Sequence, residues 1–294
     1  MAALVGWDNP SSYAIPGAPM DYATCWSELQ KDELVYGSDW NPKRVHVGGI
    51  PSYDGYFRKT WLMPKDEYFK LHGLDPRRKL ISYACSFVHF APNYPNVEAL
   101  AKLVASDQLV EPSQLLVRLH PSHFQDKPKM FAEEREKIHA LETQYPNVHV
   151  VRPVALGGSL GYYGGEDMDE KSSMVAHSDV FVTVYSTMVV ETAVHDTPIV
   201  AAVIDTPGGW NKSKKFSLSL KEIGNWPTHQ RFREAKAGRV AQNEAELCEI
   251  LNAYLKDPSL DAVERRKFIE QEITYTDETA GKRTAEFILK VLQV

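Results

Sequence analysis

The sequence predicts an α/β fold, a doubly wound parallel sheet preceded by a short N-terminal remnant of a second domain. Three observations predict it. Residues 178–200, SDVFVTVYSTMVVETAVHDTPIV, set two apolar runs around a hydroxyl pair and one acid. From residue 79 onward, strand-like and helix-like stretches alternate regularly, as in a parallel sheet covered by helices. The front of the chain differs: it holds a few strand-like runs and one good helix, punctuated by Pro10, Pro16, Pro19 and Pro42.

In chain order, strands are expected near 3–7, 22–26, 44–48, 79–84, 114–119, 148–152, 180–185 and 198–204. Helices are expected over 27–36, 95–106, 129–144, 170–177, 187–195, 244–256, 260–271 and 279–292. The run from Val180 to Tyr185 is β-branched and aromatic with little alternation, which marks a strand buried on both faces. Ser186 and Thr187 are good helix caps, Met188 to His195 continues the helix, and Asp196-Thr197-Pro198 stops it before a second buried strand. Strand, helix and strand then form one right-handed crossover. Gly48-Gly49-Ile50-Pro51 reads as a hinge, dividing a partial segment, 1–45, from a nucleotide-binding domain, 46–294.

Composition narrows the function classes. The chain has 294 residues, 43% hydrophobic, with both charge signs interspersed, as in a globular protein. A net charge of −6 and a pI near 5.9 disfavour a general nucleic-acid binder. No apolar run is long enough for a membrane span, and MAALVGWDN lacks the basic start of a signal peptide. Cys25, Cys85 and Cys248 are odd in number and far apart, which fits a reducing, cytoplasmic compartment.

The candidate chemistry falls at expected strand ends, where doubly wound sheets bind ligands. Glu191 follows Thr187 by four residues, so the two share a helix face about 6 Å apart along the axis. One reading seats a phosphate on Ser186-Thr187, at the free N–H groups and positive end of the helix, with Glu191 accepting bonds from sugar hydroxyls. The other is a capped helix with one solvated acid. In LLVRLHPSHF, Arg118 and His120 share a strand face, and a buried arginine there needs an anion or carboxylate. His120 is either a phosphate contact or a core histidine bonded to backbone. No carboxylate or cysteine is placed to complete a metal set with His120 and His123.

Ser82, Ser86 and His89 lie at or beyond another strand end. The glycine-rich ALGGSLGYYGGEDMDEK is a loop beside the crevice, closing over a base or sugar or simply lying on the surface. WNKSKKF, 210–216, is either a contact for an anionic lipid or polymer or a solvated loop. Asp8 is the one front-end carboxylate nominated as a base, against an Asx turn before Pro10.

These motifs carry a resemblance. VHVGGIPSYDGY, VRLHP, SDVFVTVYST and VETAVHDTPIV together resemble the C-terminal, donor-nucleotide half of GT-B glycosyltransferases, and THQRF with the closing helices extends the likeness over about 45–290. It is nearest to bacterial capsule and wall-polymer enzymes of the CDP-glycerol glycerophosphotransferase and polysialyltransferase-like groups.

The resemblance implies a metal-independent enzyme transferring a sugar from a nucleotide-activated donor to a polymer or lipid-linked acceptor. It implies that His120 stabilises the departing phosphate, that Ser186 and Thr187 hold the diphosphate with their N–H groups, and that Glu191 bonds ribose or donor hydroxyls; Arg118 and Ser86 complete the donor-binding set. No cofactor is expected. The donor is a substrate, with UDP favoured and CDP, GDP or CMP as alternatives. Other readings are a sugar-nucleotide 2-epimerase of related fold and a non-catalytic nucleotide-binding subunit of a split enzyme.

The chain departs from the resemblance at its front, where ALVGW and YATCW, with Trp7, Trp26 and Trp40, have few expected neighbours to cover them. A homodimer joined through 1–45, or a complex with a separate acceptor-domain protein, is therefore expected. The protein is expected in the cytoplasm, with peripheral association at the inner membrane face as the further expectation.

Overall fold

The computed structural model describes residues 2–4, 20–86, 93–125, 129–151, 165–184, 186–204 and 223–293. Its centre is a parallel sheet of β4 (Lys79–Ala84), β5 (Ser113–Arg118), β6 (Val148–Val151), β7 (Val180–Thr183), β8 (Ile199–Ala202) and β9 (Arg239–Ala241), in the order β6-β5-β4-β7-β8-β9. Ile81 of β4 pairs with Leu115 on one side and Val180 on the other. The order reverses between β4 and β7, so the carboxyl ends of these two strands flank a crevice.

Alternating strand residues go to opposite faces, and this builds two cores. Ile81, Tyr83, Val180, Val182 and Val200 pack with α4 (Tyr94–Val104), α5 (Lys129–Gln144) and α9 (Glu244–Lys256). Leu80, Leu116, Phe181 and Ile199 face the other way. They pack with α2 (Asp54–Arg58), α3 (Lys65–Leu71), α6 (Gly165–His177), α7 (Met188–Val194), α8 (Pro227–Ala235) and α10 (Ala262–Glu272). Burial on both faces is why these strands read as continuous apolar runs.

The front forms its own parallel sheet, β1 (Ala2–Leu4), β2 (Tyr22–Cys25) and β3 (Val45–Val47), with α1 (Glu28–Ser38) crossing from β2 to β3. Ser27 caps α1 by accepting from Gln30 N at 3.2 Å, while Gln30 Oε1 accepts from Trp26 N at 2.8 Å, a relative of the capping box. One expectation changes here. Trp26 is not left uncovered: it is 9% exposed and packs against Tyr53, and Ala23, Cys25, Val45 and Val47 close a small core with Leu34. Trp7 lies outside the described residues.

Helix α11 (Ala280–Leu292) returns to this front sheet. Phe287 stacks on His46, with ring centroids 4.2 Å apart, and meets Tyr22 edge-on. Asp54 caps α11 from across the chain, its two oxygens accepting from Ala280 N at 3.0 Å and Gly281 N at 2.9 Å. Gly48 and Gly49 both donate to Cys25 O, Gly49 takes a φ of +85°, and Arg283 donates to Gly48 O. Asp54→Ala is expected to lower stability by about 1–2 kcal/mol, the cost of a lost N-cap. Urea unfolding checks this, and an unchanged midpoint would show that water replaces the cap.

Four elements escaped the periodicity reading. Helices α2 and α3 are only 5 and 7 residues long. Helix α8, PTHQRFREA, buries only Thr228, His229 and Phe232, too few apolar positions to set a period. Strand β9 is a three-residue edge strand. Helix α6 also begins earlier than expected, so Asp167 stands on a helix, not in the glycine-rich loop.

Candidate functional site

A cleft of about 200 Å³ opens where the strand order reverses. Ala84 and Cys85 line it from the end of β4, and Arg118, Leu119, His120 and Pro121 from the end of β5. Ser186 and Thr187 enter from the turn before α7, Met188 and Glu191 from α7 itself, and Asp167 and Lys171 from α6. The structure thus brings together Arg118, His120, Ser186, Thr187 and Glu191. Ser86 is not among the lining residues: its N–H donates to Asn93 Oδ1 at 2.8 Å and its carbonyl accepts from Asn93 Nδ2, so it anchors the turn after β4. Ser82 is fully buried and accepts from Ser178 Oγ. Asp8, His89, most of the glycine-rich loop and residues 210–216 lie outside the described residues.

His120 stands just past β5, at the start of a 3₁₀ turn over Pro121–Phe124. Its Nδ1 accepts from Ser122 N at 3.1 Å, which leaves Nε2 as the protonated nitrogen. Burial, then the positive charges of His123 and Arg118, push its pKa down to about 4. At neutral pH it is therefore an uncharged N–H donor.

Its neighbour His123 is fully buried. Nδ1 lies 3.0 Å from His120 O, and Nε2 lies 3.0 Å from Glu134 Oε2. Glu134 also accepts from Asn93 N, Asn93 Nδ2 and Tyr94 N, which occupies both its oxygens. Both His123 nitrogens are thus engaged. With both engaged, it is no metal ligand beside His120. No group of three or more metal-ligating side chains occurs among the described residues.

Arg118 meets carboxylates, as a buried arginine must. It is 6% exposed and ion-pairs with both Asp167 and Glu170. Glu170 also accepts from Tyr68 OH at 3.1 Å, so this cation is committed inside the protein.

Two expectations about α7 change. The N–H groups of Met188, Val189 and Val190 are already bonded, to Ser186 Oγ, Ser186 O and Thr187 O. The helix has only 7 residues, so the backbone cradle expected for a phosphate is reduced. Thr187 makes no side-chain cap bond, and its hydroxyl has no partner among the described residues. Glu191 is not solvated: it is 6% exposed, and Oε2 accepts from Tyr56 OH at 2.7 Å and pairs with Lys171 Nζ at 3.1 Å. Burial and the Glu191 charge raise the Tyr56 pKa, so its phenol stays protonated and donates.

The sequence reading missed Asp167, Lys171 and Tyr56. The first two were within reach: positions 167, 170 and 171 share one helix face once the helix is begun early enough.

The profile of the CDP-glycerol:poly(glycerophosphate) glycerophosphotransferase family matches residues 20–290. No curated protein sequence matches the chain. Among solved structures, the chain is similar to the wall teichoic acid polymerase TagF, with 14% identity and a TM-score of 0.57 over 98% of this chain and 60% of that one. It is similar to a UDP-GlcNAc 2-epimerase from Neisseria meningitidis, with 14% identity and a TM-score of 0.59 over 97% of this chain and 68% of that one. A glycosyltransferase from Rickettsia africae gives 13% identity and a TM-score of 0.51 over 92% of this chain and 64% of that one. These likenesses show a shared fold, and the chain spans about three fifths of the TagF chain.

Proposed function

Because the chain belongs to the CDP-glycerol:poly(glycerophosphate) glycerophosphotransferase family, we propose that it holds a nucleotide-activated donor and supports transfer of the activated group to a hydroxyl of a polymer or lipid-linked acceptor. The observation that carries this is the convergence of three donors on the switch-point cleft: the neutral His120 ring, the uncommitted Thr187 hydroxyl and the Lys171 ammonium. The family name states transfer of glycerophosphate, and the sequence reading had a sugar as the group transferred.

In both cases the acceptor oxygen forms the new bond and loses its proton to a base. The nucleotide leaves with the electron pair on a phosphate oxygen. A fixed, uncharged His120 N–H beside that oxygen stabilises the growing charge without giving up a proton. Thr187 steadies the same phosphates from α7. The proposed base, on the sequence reading alone, is Asp8. Donor charge is balanced by protein groups in this scheme, with no metal assigned. The epimerase alternative has only the shared fold in its favour.

The test is nucleotide release by the full chain from CDP-glycerol and from UDP-sugars, with and without a polyol-phosphate or lipid-linked acceptor. Acceptor-dependent release of CMP or UDP supports transfer. Binding without release assigns a donor-holding subunit, and no binding of any donor overturns the reading. Thr187→Ala is expected to weaken nucleoside diphosphate binding by about 1–2 kcal/mol, one charge-assisted hydrogen bond. Unchanged affinity by calorimetry would remove Thr187 from the site.

A further inference from the structure

The two cations that line the cleft are not equivalent. Arg118 is held by both Asp167 and Glu170. Lys171 pairs with Glu191 alone, and its ammonium has three N–H donors. No second hydrogen-bond partner for it occurs among the described residues.

The setting of Lys171 is built. Tyr56, 1% exposed, donates to the same Glu191 oxygen at 2.7 Å, and its ring centroid lies 5.8 Å from Lys171 Nζ. Three separate helices, α2, α6 and α7, supply the three side chains. A single wall of the cleft therefore carries a lysine head held from behind by a carboxylate and a phenol. Meanwhile the first-turn N–H groups of α7 are spent on the helix itself. With His120 neutral, Arg118 and Lys171 are opposed by Asp167, Glu170 and Glu191, so an incoming phosphate depends on the least committed cation.

We infer that Lys171 is the cation that receives the donor's phosphate, and that Glu191 and Tyr56 are positioning residues acting through it. The inference rests on the reading of the cleft as the donor site. It gives Glu191 a task other than accepting sugar hydroxyls. Once a phosphate is bound, Lys171 stands between two anions. Without it, Glu191 and the phosphate face each other and repel.

That repulsion supplies a signature that a purely structural lysine would lack. The full chain is titrated by calorimetry with CDP and cytidine, and with UDP and uridine. The parent binds the diphosphate more tightly than its nucleoside. Lys171→Met loses about tenfold or more of that preference, the loss expected for one charge-assisted bond, with nucleoside affinity unchanged. Lys171→Met with Glu191→Gln recovers part of the preference, because the opposing charge is gone. The double variant also leaves no unpaired buried charge, so it stays testable if the single variant unfolds.

A parent-like preference in Lys171→Met, or in the double variant should the single one unfold, overturns the inference and leaves the donor cleft standing. A folded single variant that loses the preference without recovery in the double variant removes Glu191 from the scheme. A parent with no preference for diphosphate over nucleoside overturns the cleft reading, and this inference with it.

Discussion

His120→Ala is expected to lower turnover by about two to three orders of magnitude, the loss typical of one donor to a developing oxyanion, while the melting temperature stays within a few degrees of the parent's. The ring closes β5 beside the cleft, and the backbone bond it accepts from Ser122 N is local. On the proposed reading, the variant removes the N–H donor to the departing charge. Donor binding should fall less than turnover, because the interaction strengthens as the bond breaks. A variant that unfolds would instead assign His120 to the core.

The same histidine sets a pH dependence. Burial depresses His120, His72 and His195 to about 4 and His229 to about 3. In the unfolded chain these rings titrate near 6.5. Between those values the unfolded state binds more protons, so stability rises with pH across the window. The contribution is fully present above about 6.5 and is lost as pH falls toward the folded values. Melting temperatures from pH 7 to pH 4 should therefore decline, and the decline should be shallower in His120→Ala. An equal slope in the two proteins would mean that His120 titrates normally.

Arg118→Ala is expected to cost about 3–5 kcal/mol of stability, the usual result of removing one partner from a buried ionic cluster. Asp167 and Glu170, with side chains 2% and 12% exposed, would be left facing each other without their cation. Replacing all three, with Arg118→Met, Asp167→Asn and Glu170→Gln, should recover much of the loss, since no buried charge is then unpaired. Urea unfolding of both variants decides it. A loss under about 1 kcal/mol in Arg118→Ala would show that a carboxylate takes up a proton or that water enters.

The sequence was most legible where tertiary structure repeats a local rule. The crossover from Val180 to Ala202 could be read because both strands are buried on both faces and the cap and stop residues are local. The cleft was legible for the same reason: Arg118, His120, Ser186 and Thr187 sit at strand ends, and topology gathers strand ends at the switch point. Partners distant in sequence were not legible. Tyr56 reaches Glu191 across 135 positions, and nothing local to either residue announces the other. One reading therefore left Glu191 solvated, when a buried phenol and an ammonium hold one of its oxygens. His123 shows the same limit: the sequence set it beside His120 without a third metal ligand, and its partner, Glu134, lay in a helix that looked like an ordinary polar face.

The return of α11 to the front sheet carries a consequence for how the molecule is assembled. Phe287 covers His46 and Tyr22, and Asp54 secures Ala280 and Gly281. During synthesis β2 and β3 emerge well before the aromatic partner that covers them, because the whole large sheet lies between them in the sequence. Until α11 is made, that cover is missing, a non-local contact of the kind that slows folding and leaves intermediates prone to aggregation. The large sheet, whose strands largely pair with near neighbours in the chain, can form meanwhile and serve as the platform onto which the late helix docks.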